Sequence, residues 1–85
     1  MTQRQKVLER ARNSPKGWTA AELAGLLTTF GFEQKSGKKH EHFESPRDRS
    51  LFMTVTRSSG EIPSAYVRQA VSLIDAHRAL SLSEE

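Results

Sequence analysis

The apolar period of the chain changes at Gly31, and that change limits the folds open to it. Before it, Leu23, Leu26, Leu27 and Phe30 recur at i, i+3, i+4 and i+7, one face of an α-helix. Thr19 and Glu22 ahead of them have capping-box spacing. Gly31 suits the left-handed residue that stops a helix. After Gly31 the helical period is gone. Residues 32–35, 40–44 and 51–56 read as short strands, the last with β-branched Thr54, Val55 and Thr56. Residues 36–39 form a polar turn, and 45–50 a loop turned by Pro46. Connections this short join antiparallel neighbours.

Helical patterns flank this core. Residues 3–12 carry a thin apolar stripe of Val7, Leu8 and Ala11, opened by Thr2 and Gln5 as a second capping box. Pro15 and Gly17 break the helix in a turn. Ser58, Ser59 and Gly60 end the sheet, and Pro63 stands at or near the first position of a last helix. That helix, residues 63–80, has Val67, Ala70, Val71, Ile74 and His77 on its inner stripe. We expect one domain over residues 1–85: an N-terminal helix and turn (1–17), a core (18–80) and a frayed tail (81–85). The architecture expected is an α+β two-layer sandwich, a three-stranded antiparallel sheet with helices on one face. The other face is open, and function is to be sought there.

Composition narrows the function classes. With 85 residues and no cysteine, disulfides, thiol nucleophiles and Cys-ligated metal centres are excluded. No apolar run approaches the ~20 residues of a membrane span, and the charged N-terminus lacks the apolar stretch of a signal peptide. The absence of cysteine fits a cytoplasmic protein. There is no Gly-rich dinucleotide loop. The net charge of +3 is unevenly spread. Residues 1–18 hold five basic side chains against one acidic, and residues 35–57 six against three. A clustered basic surface attracts polyanions, nucleic acid first among them. A plain solvated surface is the alternative.

Alternation assigns the faces. Phe43 is the apolar residue of the second strand, so it points at the helices, with Glu41 on its side at the sheet margin. His40, His42 and Glu44 share the open face. Leu51, Met53 and Val55 are the core set of the third strand, leaving Phe52, Thr54 and Thr56 outside. Three chemistries compete for this face. His40, after Gly37, Lys38 and Lys39, supplies an imidazole for acid–base work beside cations that stabilise a developing phosphorane, with a glycine that admits a phosphate. His40, His42 and Glu44 are metal-ligand types, but spread over ~13 Å of strand they cannot meet at one ion, and we expect no metal or other cofactor. Polar surface is the third. Phe52, an outward aromatic beside the histidines, suits a base-stacking or partner surface, or else an edge contact with the first helix. Trp18 reads as a staple against the second helix, and His77 as a partly buried structural residue.

The ordered landmarks resemble the HicA family of toxins from toxin–antitoxin systems. They are a helix running into Phe30-Gly31-Phe32, the basic glycine-led turn Gly37-Lys38-Lys39-His40, a β-hairpin and a C-terminal helix with Tyr66-Val67-Arg68-Gln69. Arg10-Ala11-Arg12-Asn13-Ser14-Pro15 resembles the opening of a longer subgroup. The likeness covers about residues 8–77. It implies a double-stranded-RNA-binding-like fold and a metal-independent endoribonuclease (mRNA interferase) that cleaves mRNA. It further implies a HicB-type antitoxin that covers the key histidine, which corresponds to His40. Two positions depart from the family pattern. Lysines replace the usual Ser or Ser-Asn before the histidine, and Thr56-Arg57-Ser58 stands where many members have Pro-Arg-His. On this basis His40 is the expected acid or base, with Lys38 and Lys39 on phosphate. Arg47, Arg49 and Arg57 extend the RNA track, and His42 and Phe52 place a nucleotide. A non-catalytic RNA-binding module is the alternative, and a face that only docks another chain a third.

Overall fold

The computed structural model describes residues 3–56 and 60–83, with side chains through residue 80. The elements run α1 (Gln3–Asn13), α2 (Ala20–Thr29), β1 (Glu33–Ser36), β2 (His40–Glu44), β3 (Phe52–Thr56) and α3 (Ser64–Ser83). The strands form one antiparallel sheet in the order β1-β2-β3. The protein is thus a small α+β domain of three helices and a three-stranded sheet, as the change of period requires. No helix among the described residues is long and apolar enough to cross a membrane.

Both ends of α2 form as its sequence dictates. Thr19 and Glu22 make the reciprocal capping box, each side chain bonded to the other's backbone N–H. At the other end Gly31 takes φ +98°. Its N–H bonds the Thr28 carbonyl at 3.0 Å, and the Phe32 N–H bonds that of Leu27 at 3.1 Å. This is a Schellman closure. It also explains why β1 starts at Glu33 and not at the expected residue 32: the Phe32 N–H is committed to the helix end. Likewise β3 starts one residue later than expected, because the Leu51 N–H is held by the Asp48 carbonyl at 3.0 Å in the loop. The last helix continues through residues 81–83, which the sequence pattern assigned to a tail. The second capping box involves Thr2, which lies outside the described residues, as do residues 84 and 85 of the expected tail.

The helices cover one sheet face. Phe43, Met53 and Val55 meet Leu23, Leu26, Leu27, Phe32, Val67, Ala70 and Ile74 in a single core. Strand β3 alternates strictly, Met53 and Val55 buried and Phe52, Thr54 and Thr56 exposed. The thin first helix contributes Leu8 and Ala11 to the same core. Two ion pairs steer it: Arg10 reaches Glu22 on α2 at 2.9 Å, and Arg12 grips Asp75 on α3 through two bonds of 3.0 and 2.9 Å. Such exposed pairs contribute little stability, so the buried Leu8 side chain anchors α1. Trp18 is buried too. Its indole N–H donates to the Ser14 carbonyl at 2.9 Å, and its own carbonyl accepts from the Ile62 N–H at 2.8 Å. Trp18 therefore joins three segments, where the sequence suggested a staple for one.

His77 sits inside, against the Phe32 ring, with Nδ1 2.7 Å from the Ser45 Oγ. Burial pushes its pKa below the usual imidazole value, the Arg47 charge pushes the same way, and a bond to the Phe30 backbone opposes both. The folded value lies below the unfolded one near ~6.5. The unfolded chain therefore binds more protons as pH falls through that value, and the fold loses stability. The lowered carboxylates of Glu22, Glu44, Asp48 and Asp75 act in the same direction, but only below about pH 4.5. We expect the melting temperature to drop between about pH 7.5 and 5.5, and His77→Gln to flatten that drop. Parallel pH curves for the two proteins would refute the assignment.

Candidate functional site

Register decides what the open face holds. Lys35, His42 and Thr54 lie directly across from one another, as do Glu33, Glu44 and Phe52, and His40 faces Thr56. Residues opposite one another share a face, so all eight side chains stand on the side away from the helices. The expected facing of His40, His42, Phe52 and Thr54 is what the structure shows. Glu41 lies on the core side but at the margin. There it accepts bonds from Ser36 Oγ at 2.7 Å and Gln34 Nε2 at 3.0 Å, which offset its desolvation.

At one end of this face is the turn before β2. The Gly37 N–H bonds the His40 carbonyl at 2.8 Å, and a Cβ on Gly37 would stand 3.2 Å from that oxygen. Glycine is what lets the turn close this tightly. Lys38, Lys39 and His40 are all exposed. No hydrogen bond or ion pair engages these three side chains among the described residues. They are an imidazole and two ammonium groups presented to solvent within three positions.

His42 is held quite differently. Its ring stacks on Phe52 with centroids 5.5 Å apart, its Nδ1 is 3.3 Å from Thr54 Oγ1, and its Nε2 is 3.6 Å from Glu44. Phe52 is 51% exposed, the one large apolar side chain left in solvent among the described residues. It touches His42 and not the first helix, so the edge-contact alternative falls. His40 and His42, two residues apart on one strand, are spaced by about 6.6 Å of rise.

Glu44 is the hub of the other end. Although it stands on the open face, its side chain is only 12% exposed, because Lys35 at 2.7 Å, Arg49 at 3.0 Å and His42 surround it. The Lys35 bond holds its carboxyl below the usual range, with the Lys35 and Arg49 charges adding and desolvation opposing. Arg49 also bonds Glu33 at 2.6 Å. The expected RNA track therefore looks different in three dimensions. Arg49 is tied to two carboxylates. Arg47 is exposed in the loop between β2 and β3, at the far end of the sheet from Lys38 and Lys39. Arg57 lies outside the described residues. Two participants escaped the sequence reading, Lys35 and the hub role of Glu44. Their signal is the pairing register, which a turn of residues 36–39 would set with Lys35 opposite His40, two positions away from the observed ladder.

No three His, Asp or Glu side chains among the described residues are placed to hold one metal ion. Fold and face together define a small α+β domain whose uncovered sheet carries two histidines and one aromatic, with two lysines in the turn at its edge that no side chain engages among the described residues. No family model matches the chain, and no curated protein or solved structure matches it significantly.

Proposed function

We propose that the protein is an RNA-cleaving toxin of the HicA type, with a double-stranded-RNA-binding-like fold. It would act in the cytoplasm on mRNA and be restrained by a HicB-type antitoxin that covers the His40 face. The observation that carries the proposal is the pair of imidazoles on one open face, His40 at its basic end and His42 one pleat further on. Cleavage of RNA without a metal needs a base for the 2′-hydroxyl proton and an acid for the leaving 5′-oxygen. One histidine takes the 2′-hydroxyl proton as O2′ attacks phosphorus. The P–O5′ bond breaks, and the other histidine gives O5′ its proton. Lys38 and Lys39 neutralise the charge that develops on the equatorial oxygens. Phe52 offers its exposed ring to a base, and its stack with His42 orders both. The products are a 2′,3′-cyclic phosphate and a 5′-hydroxyl.

A second reading rests on the restraint of His42. Its ring is bonded to Thr54 and stacked on Phe52, so His40 is the one histidine without such partners, and a face with a single free imidazole suits an RNA binder without chemistry. Incubating end-labelled RNA with the purified chain in EDTA separates the two. Fragments ending in cyclic phosphate, absent when the RNA carries 2′-O-methyl groups, support the nuclease. Intact but gel-retarded RNA from a folded protein supports the binder.

A further inference from the structure

Away from the sheet face, the antiparallel helices α1 and α2 leave a groove of about 340 Å³ between them. Ligand pockets begin at roughly 300 Å³. Val7, Trp18, Gly25 and Leu26 give it an apolar lining, with Arg4 at one end and Arg10 and Glu22 at the other. Gly25 is the informative residue. It sits inside α2, has no positive φ, and a Cβ built on it would meet nothing within 4 Å. Neither the backbone nor the packing demands glycine there, and glycine is among the poorest helix formers. What its missing side chain does is keep the groove open.

The charges at the groove specify an occupant. Arg10 is neutralised by Glu22 and lies over the Trp18 ring at 4.5 Å. No carboxylate pairs with Arg4 among the described residues. Its guanidinium lies 5.7 Å from the Phe30 ring, and that of Arg78 lies at the same distance from the same ring. Neither is hydrogen-bonded to a carboxylate among the described residues. The Arg4 guanidinium at the end of an apolar trench complements a carboxylate next to a bulky apolar side chain, whereas Arg78 lies outside the trench and acts on Asp75. We propose that the α1–α2 groove binds an acidic segment of a partner protein, with an apolar side chain of that segment over Gly25 and its carboxylate on Arg4. This site is separate from the histidine face, so occupancy of one leaves the other accessible.

The probe is a blocked peptide in which tryptophan and leucine alternate with glutamate at helical spacing, titrated into the ¹⁵N-labelled chain. Saturable amide shifts are expected at Val7, Gly25, Leu26 and Thr29, and none from the lysine counterpart of the peptide. Gly25→Met fills the trench and should abolish those shifts without lowering the melting temperature, since methionine is the better helix former. Arg4→Glu should weaken binding by at least about tenfold, the loss of a charge-assisted hydrogen bond. RNA cleavage by Gly25→Met should equal wild type, so failure here and failure of the toxin reading show in different assays. The proposal is overturned if the acidic peptide moves no groove amide, if its shifts persist in Gly25→Met, or if the lysine peptide binds equally. Groove shifts from a short oligouridylate in place of the acidic peptide would also overturn it, in favour of a nucleic-acid surface.

Discussion

Replacing His40 with alanine should lower RNA cleavage by about 10²–10⁴-fold, the usual contribution of a positioned acid or base, while the fold stays intact. The two halves of that expectation come from one fact. His40 is exposed at the start of β2, and no side-chain partner engages it among the described residues. Substitutions at such positions change stability by about ±0.5 kcal/mol, or roughly 2–4 °C in the melting temperature of a domain this size. Cleavage of labelled RNA and a thermal melt on the same preparation test both halves. Undiminished cleavage would remove His40 from the mechanism. His42→Ala is the necessary companion, because it also breaks contacts to Thr54, Glu44 and Phe52. Its loss of cleavage counts as chemistry only if Phe52→Leu, which removes the stack and the base platform but keeps the imidazole, loses clearly less.

The second large effect is on stability. Trp18→Ala should cost about 3–5 kcal/mol, the range for emptying a buried aromatic site. A chain of 85 residues has a total stability of roughly 4–13 kcal/mol at ~0.05–0.15 kcal/mol per residue. The melting temperature should therefore fall by about 12–40 °C, at ~4–8 °C per kcal/mol. Trp18→Phe keeps most of the ring and loses the indole bond to Ser14, so it should cost only about 1 kcal/mol beyond the volume change. Thermal and urea melts of the two variants separate packing from the hydrogen bond. If Trp18→Ala melts within a few degrees of wild type, Trp18 is not the joint between the α1–α2 turn, α2 and the Ile62 segment.

Local signals carried most of the fold. Thr19, Glu22 and Gly31 declare the ends of α2 in one-residue detail because capping is a matter of a few neighbouring dihedrals and hydrogen bonds. Alternation in residues 51–56 identified Met53 and Val55 as core and Phe52 as exposed, since the strand period allows one assignment once the apolar set is known, but it also named Leu51, which precedes the strand and stays half-buried outside the core. The strand starts were less legible. They depend on where the Phe32 and Leu51 N–H groups find carbonyls, and both found them outside the sheet. The site was legible in its members more than in its pairing. His40, His42, Lys38, Lys39 and Phe52 could be named from spacing. That Lys35 and Arg49 would converge on Glu44 could not, because a shift of two along a hairpin keeps every side chain on its face while changing all its cross-strand partners.

The clasp of Arg12 on Asp75 has a consequence for the newly made chain. It joins the first helix to the last, with the whole sheet lying between them in sequence. The ribosome delivers α1 first, yet the surface that α1 meets on α3 is the last to emerge. Until then Leu8 and Ala11 have only part of their burial, and closing so long a loop is slow as well as late. The domain therefore reaches its final packing only once α3 has been made. A nascent chain that has not yet presented α3 lacks the finished structure, and with it a finished histidine face.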